Sequence, residues 1–294
     1  MRPQISLVMP TLNAERFIAK ALDSVPRALV NVNFEVVIAD GGSDDATRSI
    51  AADYPFVRIL DGTDRGLYDG LNRAIGEAKA EYVALLNSDD VLHGFGLSKL
   101  FNALDLHKSA DMIMGGVSCG PVFDDSGIIY SQTKLSLPGL AFGIPAINAR
   151  LFRASVFHMV GPFRTDLGVG ADREFLVRVL LKGVRGMGVR VPTYHYRTHA
   201  GSLTLAGDRD ARDRIWRSDI EVLGTILKTP VLSAQQRRTV AQALSLLRAK
   251  QLRSGTRSGN AGQRDKHTLS LEDCARLPMA FARWLQWRGK LAGY

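Results

Sequence analysis

The sequence predicts an α/β fold in which helices cover both faces of a mostly parallel sheet. Short apolar segments alternate with segments of helical period from residue 4 to residue 106. The apolar segments are continuous, as expected of strands that are buried on both faces. The helical segments are about 10 to 13 residues long, which suits the crossover connections between parallel strands.

The elements follow in chain order. Gln4–Pro10 is an apolar strand that proline ends, and Ala14–Val25 follows with apolar side chains at helical spacing. Phe34–Asp40 is predicted as the second strand, and Asp44–Asp53 as a helix with Ser43 as its N-cap. The remaining predicted strands and helices are Val57–Leu60, Leu67–Lys79, Glu81–Leu86, Phe95–Leu106, Asp111–Val117, Gly127–Ser131, Asp172–Lys182, Gly183–Val191, Asp208–Leu227, Ser233–Arg253 and Leu277–Lys290.

Composition excludes several classes of protein. The chain has 294 residues, of which 46% are hydrophobic and 23% charged, so it is not a disordered chain. Proline and glycine interrupt its longest apolar segment, Leu137–Ile147, and polar residues from Asn13 onwards interrupt the N-terminal one, so neither a membrane span nor a signal peptide is expected. The two cysteines, Cys119 and Cys274, form no metal-binding motif, and we expect a cytoplasmic protein without a zinc cluster.

Charge divides the chain into a neutral body and a basic C-terminal region. The net charge is +9, and residues 230–294 hold 12 of the 38 basic residues but 3 of the 29 acidic ones. A polar linker, Ser254–Gln263, precedes a final helix in which Trp284 and Trp287 lie among basic residues. This helix could pack on the body or lie on an anionic membrane surface. We expect peripheral contact with the inner face of the cytoplasmic membrane and, without a recognition motif, no nucleic-acid partner.

Polar residues follow three predicted strands. They occupy residues 10–13, 40–45 and 87–90. Carboxyl ends of parallel strands meet at one edge of a sheet, where ligands bind. Each aspartate alone could cap the next helix, but two acidic clusters at one edge favour a divalent cation that bridges phosphates. The first turn, PTLNAER, has no glycine, and both the GxGxxG and GxxxxGK[ST] motifs are missing, which argues against NAD enzymes and P-loop NTPases.

Several segments, taken in order, match the pattern of one known family. They are SLVMPTLNAERFIAKALDSV, VVIADGGSDDAT, DRGLYDGLNRAI, YVALLNSDDVLH, GADREFLVRVLLKG and YRTHAGSLT. Over residues 4–204 the chain resembles the family-2 glycosyltransferases, and DRGLYDGLN is most similar to the bacterial subgroup that builds polysaccharide and glycolipid sugars.

The resemblance implies the GT-A fold and an enzymatic activity. It divides the chain into a nucleotide-sugar-binding half (1–110), an acceptor-binding half (111–207) and a helical basic extension (208–294). The implied reaction is inverting transfer of a sugar from a nucleoside-diphosphate sugar, UDP being favoured, to a hydroxyl of a glycan or lipid-linked acceptor. The implied cofactor is Mn²⁺ or Mg²⁺. A non-catalytic relative that binds a glycan or a partner at the membrane is the alternative, whereas a sugar nucleotidyltransferase would need an early Gly-rich, basic motif.

The resemblance also assigns residues to the nucleotide and the metal. Asp40 contacts the nucleotide base, and Arg65 contacts the base or a phosphate. The metal-binding DxD motif of the family becomes Asn87-Ser88-Asp89, so Asn87 adds no charge and Asp89 is the expected metal ligand. The other expected nucleotide contacts are Pro10, Thr11, Leu12, Ser88 and Asn87, whose amide oxygen can still accept a hydrogen bond from the ribose. The other expected metal ligands are Asp90 and His199.

The expected catalytic base is Asp172, in the segment Ala171-Asp172-Arg173-Glu174. Inversion needs a carboxylate that takes the proton of the attacking hydroxyl, and a helix N-terminus stabilises its charged form. Asp172 could instead be only a helix cap, with Glu174 as the other candidate base.

Overall fold

The computed structural model describes residues 2–120, 129–130, 135–143, 145–199, 201 and 209–256. Two 3₁₀ turns, Ile147–Ala149 and Gly168–Gly170, join longer elements. Those elements are β1 (Ile5–Thr11), α1 (Ile18–Ala28), β2 (Phe34–Asp40), α2 (Thr47–Ala52), β3 (Val57–Leu60), α3 (Leu67–Gly76), β4 (Tyr82–Leu85), β5 (Val91–Leu92), α4 (Gly96–Leu106), β6 (Met112–Gly120), β7 (Ile129–Tyr130), α5 (Leu137–Phe142), β8 (Arg150–Arg153), α6 (Ser155–Val160), α7 (Ala171–Leu181), β9 (Gly186–Arg197), α8 (Arg209–Leu227) and α9 (Ala234–Thr256).

The strands form one sheet in the order β3-β2-β1-β4-β8-β6-β9-β5, and β7 pairs with β6. The strands from β3 to β4 are mutually parallel, which confirms the predicted parallel sheet in the first half of the chain. The second half is mixed, since β8 is antiparallel to both β4 and β6 whereas β9 is parallel to β6. Thr11 lies beside Asp40 in the register, so the polar ends of β1 and β2 meet at one edge of the sheet.

Buried apolar side chains cover both faces of the sheet. Alternate residues of β1 enter different layers: Leu7 packs with α1 and α4, and Val8 packs with α3 and α7. The second layer contains a stack of aromatic rings, in which Phe163 and Phe175 lie 4.2 Å apart between centroids. These layers hold the strand ends in fixed positions relative to α3 and α7.

The first four strand–helix units are confirmed, with changes at the helix starts. α1 begins at Ile18 instead of Ala14, and α2 begins at Thr47 instead of Asp44. The residues before each helix are held in loops that bond to each other; the Ala14 N–H, for example, donates to Thr47 Oγ1 over 2.7 Å. The prediction of Ser43 as an N-cap is wrong, because its side chain bonds to Asp40 instead.

The later elements differ more from the prediction. β5, β8, α5 and α6 were not predicted, because segments of two to six residues are too short to show a period. β9 continues past Val191 to Arg197, since its polar residues are buried against β5 and β6. α9 extends to Thr256, so the predicted linker does not start at Ser254. The basic helix Leu277–Lys290 lies outside the described residues.

Helix α8 fixes the start of α7. Arg173 forms an ion pair with Asp219 of α8 at 2.8 Å, and a Cβ added at Gly170 would lie 2.5 Å from Ser218 Oγ. Glycine at 170 therefore permits this close packing. Among the described helices, none is both long and apolar enough to cross a membrane.

Candidate active site

Two loops at the carboxyl ends of β1 and β2 bond to each other. The backbone of Asn13 takes a left-handed conformation (φ 47°), and its N–H donates to Ser43 Oγ over 2.9 Å. In return, the Asp44 N–H donates to Asn13 Oδ1 over 3.1 Å. The Glu15 N–H donates to Asp45 Oδ2 over 3.1 Å. The carboxylate of Asp45 therefore stabilises the contact between the two loops, which form one unit.

Asp40, at the end of β2, is buried and ionised. Its carboxylate is 1% exposed and accepts hydrogen bonds from the Ser43 hydroxyl (2.6 Å), the backbone N–H groups of Gly42 and Ser43, and Arg48 (3.3 Å). Burial alone would raise the pKa of Asp40, but these hydrogen bonds, those from Ser43 first, hold it below its usual 3.8. Asp40 lies at the predicted nucleotide edge and also holds the loop that forms it.

The other predicted base contacts lie beside Asp40. Pro10 and Thr11 are buried, whereas Leu12 is 61% exposed, so an apolar side chain faces outward at this edge. Thr11 Oγ1 is buried without a hydrogen-bond partner among the described residues. A buried hydroxyl without a partner needs an explanation, and a ligand at this edge of the sheet would supply one.

The segment before α3 brings one unforeseen acid to the same edge. Asp64 accepts a hydrogen bond from the Gly66 N–H over 3.0 Å. A Cβ added at Gly41 or Gly70 would lie 3.0 or 2.8 Å from an Asp64 carboxylate oxygen, so both glycines make room for this side chain. Arg65, the predicted nucleotide contact, is 88% exposed, and an Asp69 carboxylate oxygen lies 3.8 Å from its guanidinium. No described contact connects Arg65 to the other candidate residues.

The turn after β4 is bonded to the end of β9. The Tyr194 hydroxyl donates to Asp90 Oδ2 over 2.7 Å and accepts from the Asn87 N–H over 3.1 Å. The Arg197 N–H donates to Asp90 Oδ1 over 2.9 Å, and Asn87 Nδ2 donates to Oδ2 over 3.1 Å. Burial and the charge of Asp89 raise the pKa of Asp90 to about 7, although these hydrogen bonds act in the opposite direction. Asp90 is thus an internal partner of the turn, which weakens its candidacy as a direct metal ligand.

Asp89 and His199 form a more accessible pair. His199 Nε2 lies 3.1 Å from Asp89 Oδ2, and both side chains are partly exposed. The His199 ring stacks on Phe17 at 4.3 Å between centroids, and Arg197 donates to the Asp89 carbonyl. Ser88 is half-buried in the same turn. The structure therefore brings the predicted metal ligand Asp89 together with the loop histidine.

Asp172 lies in the first turn of α7, as predicted. The Tyr68 hydroxyl of α3 donates to Asp172 Oδ1 over 2.9 Å. Burial raises the pKa of Asp172 to about 6, against the opposing effects of the Tyr68 hydrogen bond and of Arg173 and Arg150. A carboxylate that loses its proton near neutral pH suits general-base catalysis.

The neighbouring acid, Glu174, does not share this position. Its two oxygens accept from Arg178 over 2.8 and 2.9 Å, and Arg178 also donates to backbone carbonyls before α7. Glu174 is thus committed to an ion pair, and Asp172 is the better candidate base.

Tyr196 is affected by acids of both parts of the candidate site. Burial raises the pKa of its hydroxyl most, Asp172 and Asp90 raise it further, and Arg150 lowers it. Asn148, just before β8, donates to the Tyr194 hydroxyl, which bonds this segment to the Asp90 network. Sequence reasoning left the role of Tyr68 open and missed Tyr194 and Asp64, although the segment DRGLYDGLN contains two of these three residues.

The chain has the GT-A fold. The fold is similar to that of Staphylococcus aureus TarS 1–349 in complex with UDP-GlcNAc (TM-score 0.63, 18% identity, 96% of this chain and 81% of that chain). It is also similar to the mannosyltransferase PcManGT from Pyrobaculum calidifontis in complex with GDP-Man and Mn²⁺ (TM-score 0.58, 19% identity, 99% and 85%).

The chain belongs to glycosyl transferase family 2, whose model matches residues 6–156. A PGL/p-HBAD biosynthesis glycosyltransferase of Mycobacterium bovis is 28% identical over 189 residues, which cover 60% of this chain and 69% of the relative. The putative glycosyltransferase EpsE of Bacillus subtilis is 25% identical over 207 residues, covering 66% and 73%. The resemblance seen in the sequence is confirmed at the level of family and fold.

The residues present fit a divalent cation that a substrate helps to hold. Within the described part of the chain, no three His, Cys, Asp or Glu side chains gather into a metal site. Asp89 and the neighbouring His199 are the two side chains here that could coordinate a cation. Mg²⁺ and similar ions commonly use one or two carboxylates and take their remaining oxygens from phosphates and water, and an imidazole ligand suits a transition metal better than Mg²⁺.

Proposed function

We propose that this chain transfers a sugar, with inversion, from a nucleoside-diphosphate sugar to a hydroxyl of a glycan or lipid-linked acceptor. UDP is the favoured nucleotide, and Asp172 is the general base. The residue ranges 1–110 and 111–207 would bind the donor and the acceptor, respectively.

The observation that carries the proposal is the environment of Asp172. Its carboxylate lies at a helix N-terminus, accepts from Tyr68, and has a pKa of about 6 because of burial. A group with this pKa is mostly ionised at pH 7, yet basic enough to accept a proton in the transition state. The nearby acids Glu174 and Asp219 are engaged in ion pairs, so they do not compete for this role.

The reaction places each group in one role. The acceptor hydroxyl attacks the anomeric carbon from the face opposite the leaving diphosphate, and its proton passes to Asp172. Tyr68 keeps its hydrogen bond to Oδ1 and so leaves Oδ2 for the substrate. The loop residues Thr11, Leu12 and Asp40 would hold the nucleotide base. Mn²⁺ or Mg²⁺, held by Asp89 and His199, would neutralise charge on the leaving diphosphate.

The experiment compares Asp172→Asn with the wild type in binding and in turnover. Thermal shift with UDP, GDP, dTDP and CDP, each with and without Mn²⁺, identifies the nucleotide. The variant is expected to keep the wild-type shift and to lose at least about 100-fold in sugar-nucleotide turnover, the usual contribution of a general base. Full turnover in the variant would remove Asp172 from the role of base, and no shift with any nucleotide would refute donor binding.

A second candidate function is a non-catalytic, glycan- or partner-binding relative. Asn87 is the observation that favours it, because this amide replaces an acid of the family motif and donates to Asp90. Asn87→Asp separates the two functions. An active enzyme is expected to keep or increase its Mn²⁺-dependent turnover, whereas a binding protein would show no turnover in either form.

The basic C-terminal region supports a further part of the proposal, contact with an anionic membrane. The 12 basic and 3 acidic residues between 230 and 294 carry the argument. The protein should sediment together with phosphatidylglycerol vesicles, and a smaller fraction should do so when Arg283, Arg288 and Lys290 are changed to Glu. Equal binding of the two proteins would contradict it.

A further inference from the structure

Arg150 is a buried cation whose hydrogen-bonding capacity the protein does not fill. It is the first residue of β8, beside Met114 of β6, and is 3% exposed. Nη2 donates to the Pro145 carbonyl over 2.6 Å. Nε and Nη1 are buried and have no hydrogen-bond partner among the described residues. A native protein rarely leaves such donors unpaired, so their presence needs an explanation.

Folding stability does not supply that explanation. Phe152, two residues along the same strand and therefore on the same face, is fully buried in an apolar layer. Burial of a charged group with unmatched donors opposes folding, and an apolar side chain of similar length would avoid this cost. Burial lowers the pKa of Arg150 to about 10, while Tyr196 and the carboxylate of Asp172 act in the opposite direction, so the guanidinium remains positive at pH 7.

The position of Arg150 in the sheet places it beside the candidate active site. Arg150 and Asp172 each alter the pKa of the other, but no ion pair or hydrogen bond joins these two described residues. Leu151 lies opposite Ala84 in the antiparallel register of β8 and β4, so Arg150 lies level with the end of β4 and beside the turn that follows it. Asn148, two residues before Arg150, donates to the Tyr194 hydroxyl over 3.1 Å, and this hydroxyl donates to Asp90 in that turn, where the diphosphate would bind. A donor sugar bound by its diphosphate at this turn would lie near Arg150.

We propose that Arg150 binds the sugar of the donor through Nε and Nη1, and that this sugar is uncharged. The proposal deepens the proposed function and rests on it. The charge of Asp172 balances that of Arg150, which leaves no net positive charge for a carboxylate. A carboxylate usually takes two parallel bonds from one edge of a guanidinium. Either edge of the guanidinium that could hold a carboxylate in two bonds includes Nη2, and one of the two N–H groups of Nη2 already donates to Pro145. Separate hydroxyl or acetamido oxygens of a hexose or N-acetylhexosamine suit the two available donors better.

Two variants separate sugar binding from a purely electrostatic role. Arg150→Lys keeps a positive charge near Asp172 but loses the separate Nε and Nη1 donors of the guanidinium. Arg150→Met loses both the charge and the donors. Each is expected to lower kcat/KM for the sugar nucleotide by about 10- to 100-fold, since a hydrogen bond from a charged donor is lost. Binding of the free nucleoside diphosphate should not change. The acidic limb of the pH profile should move to higher pH in Arg150→Met alone.

Stability and a wild-type measurement complete the test. Arg150→Met should have a Tm without ligand at least as high as the wild type, which a structural role would not allow. For the wild type with Mn²⁺, UDP-glucose or UDP-GlcNAc should stabilise the protein more than UDP does, and UDP-glucuronate should not. If the thermal-shift panel shows that the protein prefers GDP to UDP, GDP-mannose is compared with GDP instead.

Several outcomes would overturn the inference. Wild-type kcat/KM in Arg150→Lys would reduce Arg150 to a charge partner of Asp172. Stronger stabilisation by UDP-glucuronate than by UDP-glucose would make the site a carboxylate site. An unchanged sugar-dependent shift in Arg150→Met would assign Arg150 to the acceptor or to the fold. Absence of any nucleotide shift in the wild type would instead refute the proposed function, which keeps the two failures distinct.

Discussion

Replacing Tyr68 with Phe tests how the protein sets the pKa of its candidate base. The variant removes the 2.9 Å hydrogen bond to Asp172 Oδ1 and keeps the ring that packs near Phe163. This hydrogen bond stabilises the ionised carboxylate, so its loss should raise the pKa of Asp172 above about 6. A net loss of about 1.4 kcal/mol, close to the lower end of the range for a hydrogen bond to a charged group, corresponds to about one pKa unit.

The expected result is a shift in the pH dependence of kcat/KM. At pH 6.5 the ionised fraction would fall about threefold if the pKa rose from about 6 to about 7, and at pH 8.5 the two enzymes would differ little. The assay is nucleotide release from the sugar nucleotide between pH 5 and pH 9. Tyr54→Phe is the matched control, because the Tyr54 hydroxyl bonds to Asp23 and to the Ala19 carbonyl. An acidic limb that stays in place, or moves to lower pH, would refute the reasoning.

Three further predictions follow from the same contacts. The pKa of Asp172 is about 6 in the folded protein against a usual 3.8, so the folded state loses stability as the pH rises from about 4 to 6. Asp172→Asn should therefore raise the unfolding free energy at pH 7.5 by at most about 3 kcal/mol, with a higher Tm, and should not raise it at pH 4. A variant less stable than the wild type at pH 7.5 would contradict this. Asp89→Asn and His199→Ala should each reduce the Mn²⁺-dependent part of the nucleotide thermal shift, whereas the control variant His158→Ala, at an exposed position, should keep it. Equal shifts in all three variants would show that Asp89 and His199 do not bind the metal. Tyr194→Phe loses bonds to Asp90, Asn87 and Asn148 and should lower the urea unfolding free energy by about 2 to 3 kcal/mol, whereas no loss would mean that the network is redundant.

The first half of the fold was predictable because its signals are local. Continuous apolar runs such as Phe34–Asp40 and the helical period of α3 identify their own elements. Strand ends of parallel units share an edge, so the meeting of Thr11 and Asp40 also followed from the pattern. The family resemblance then indicated Asp89 and Asp172, which the structure places in turns at that edge and at the start of α7.

What the sequence did not reveal depends on contacts between distant residues. Tyr68 meets Asp172 across 104 positions, and Tyr194 meets Asp90 across the same separation. No local period encodes such pairs. Arg150 was also unremarkable in sequence, since a basic residue before an apolar pair is typical of a strand edge. Its burial results from β8 lying between β4 and β6, which is a property of the whole sheet.

The most direct test of the central claim is the anomeric configuration of the sugar first released from an α-linked nucleoside-diphosphate sugar. With water as the acceptor, ¹H NMR can read the product before mutarotation equilibrates it, which removes the need to know the natural acceptor. An inverting enzyme that uses Asp172 as its base predicts the β-anomer from the wild type and no release above background from Asp172→Asn. Release of the α-anomer, or equal release by the variant, would contradict the mechanism.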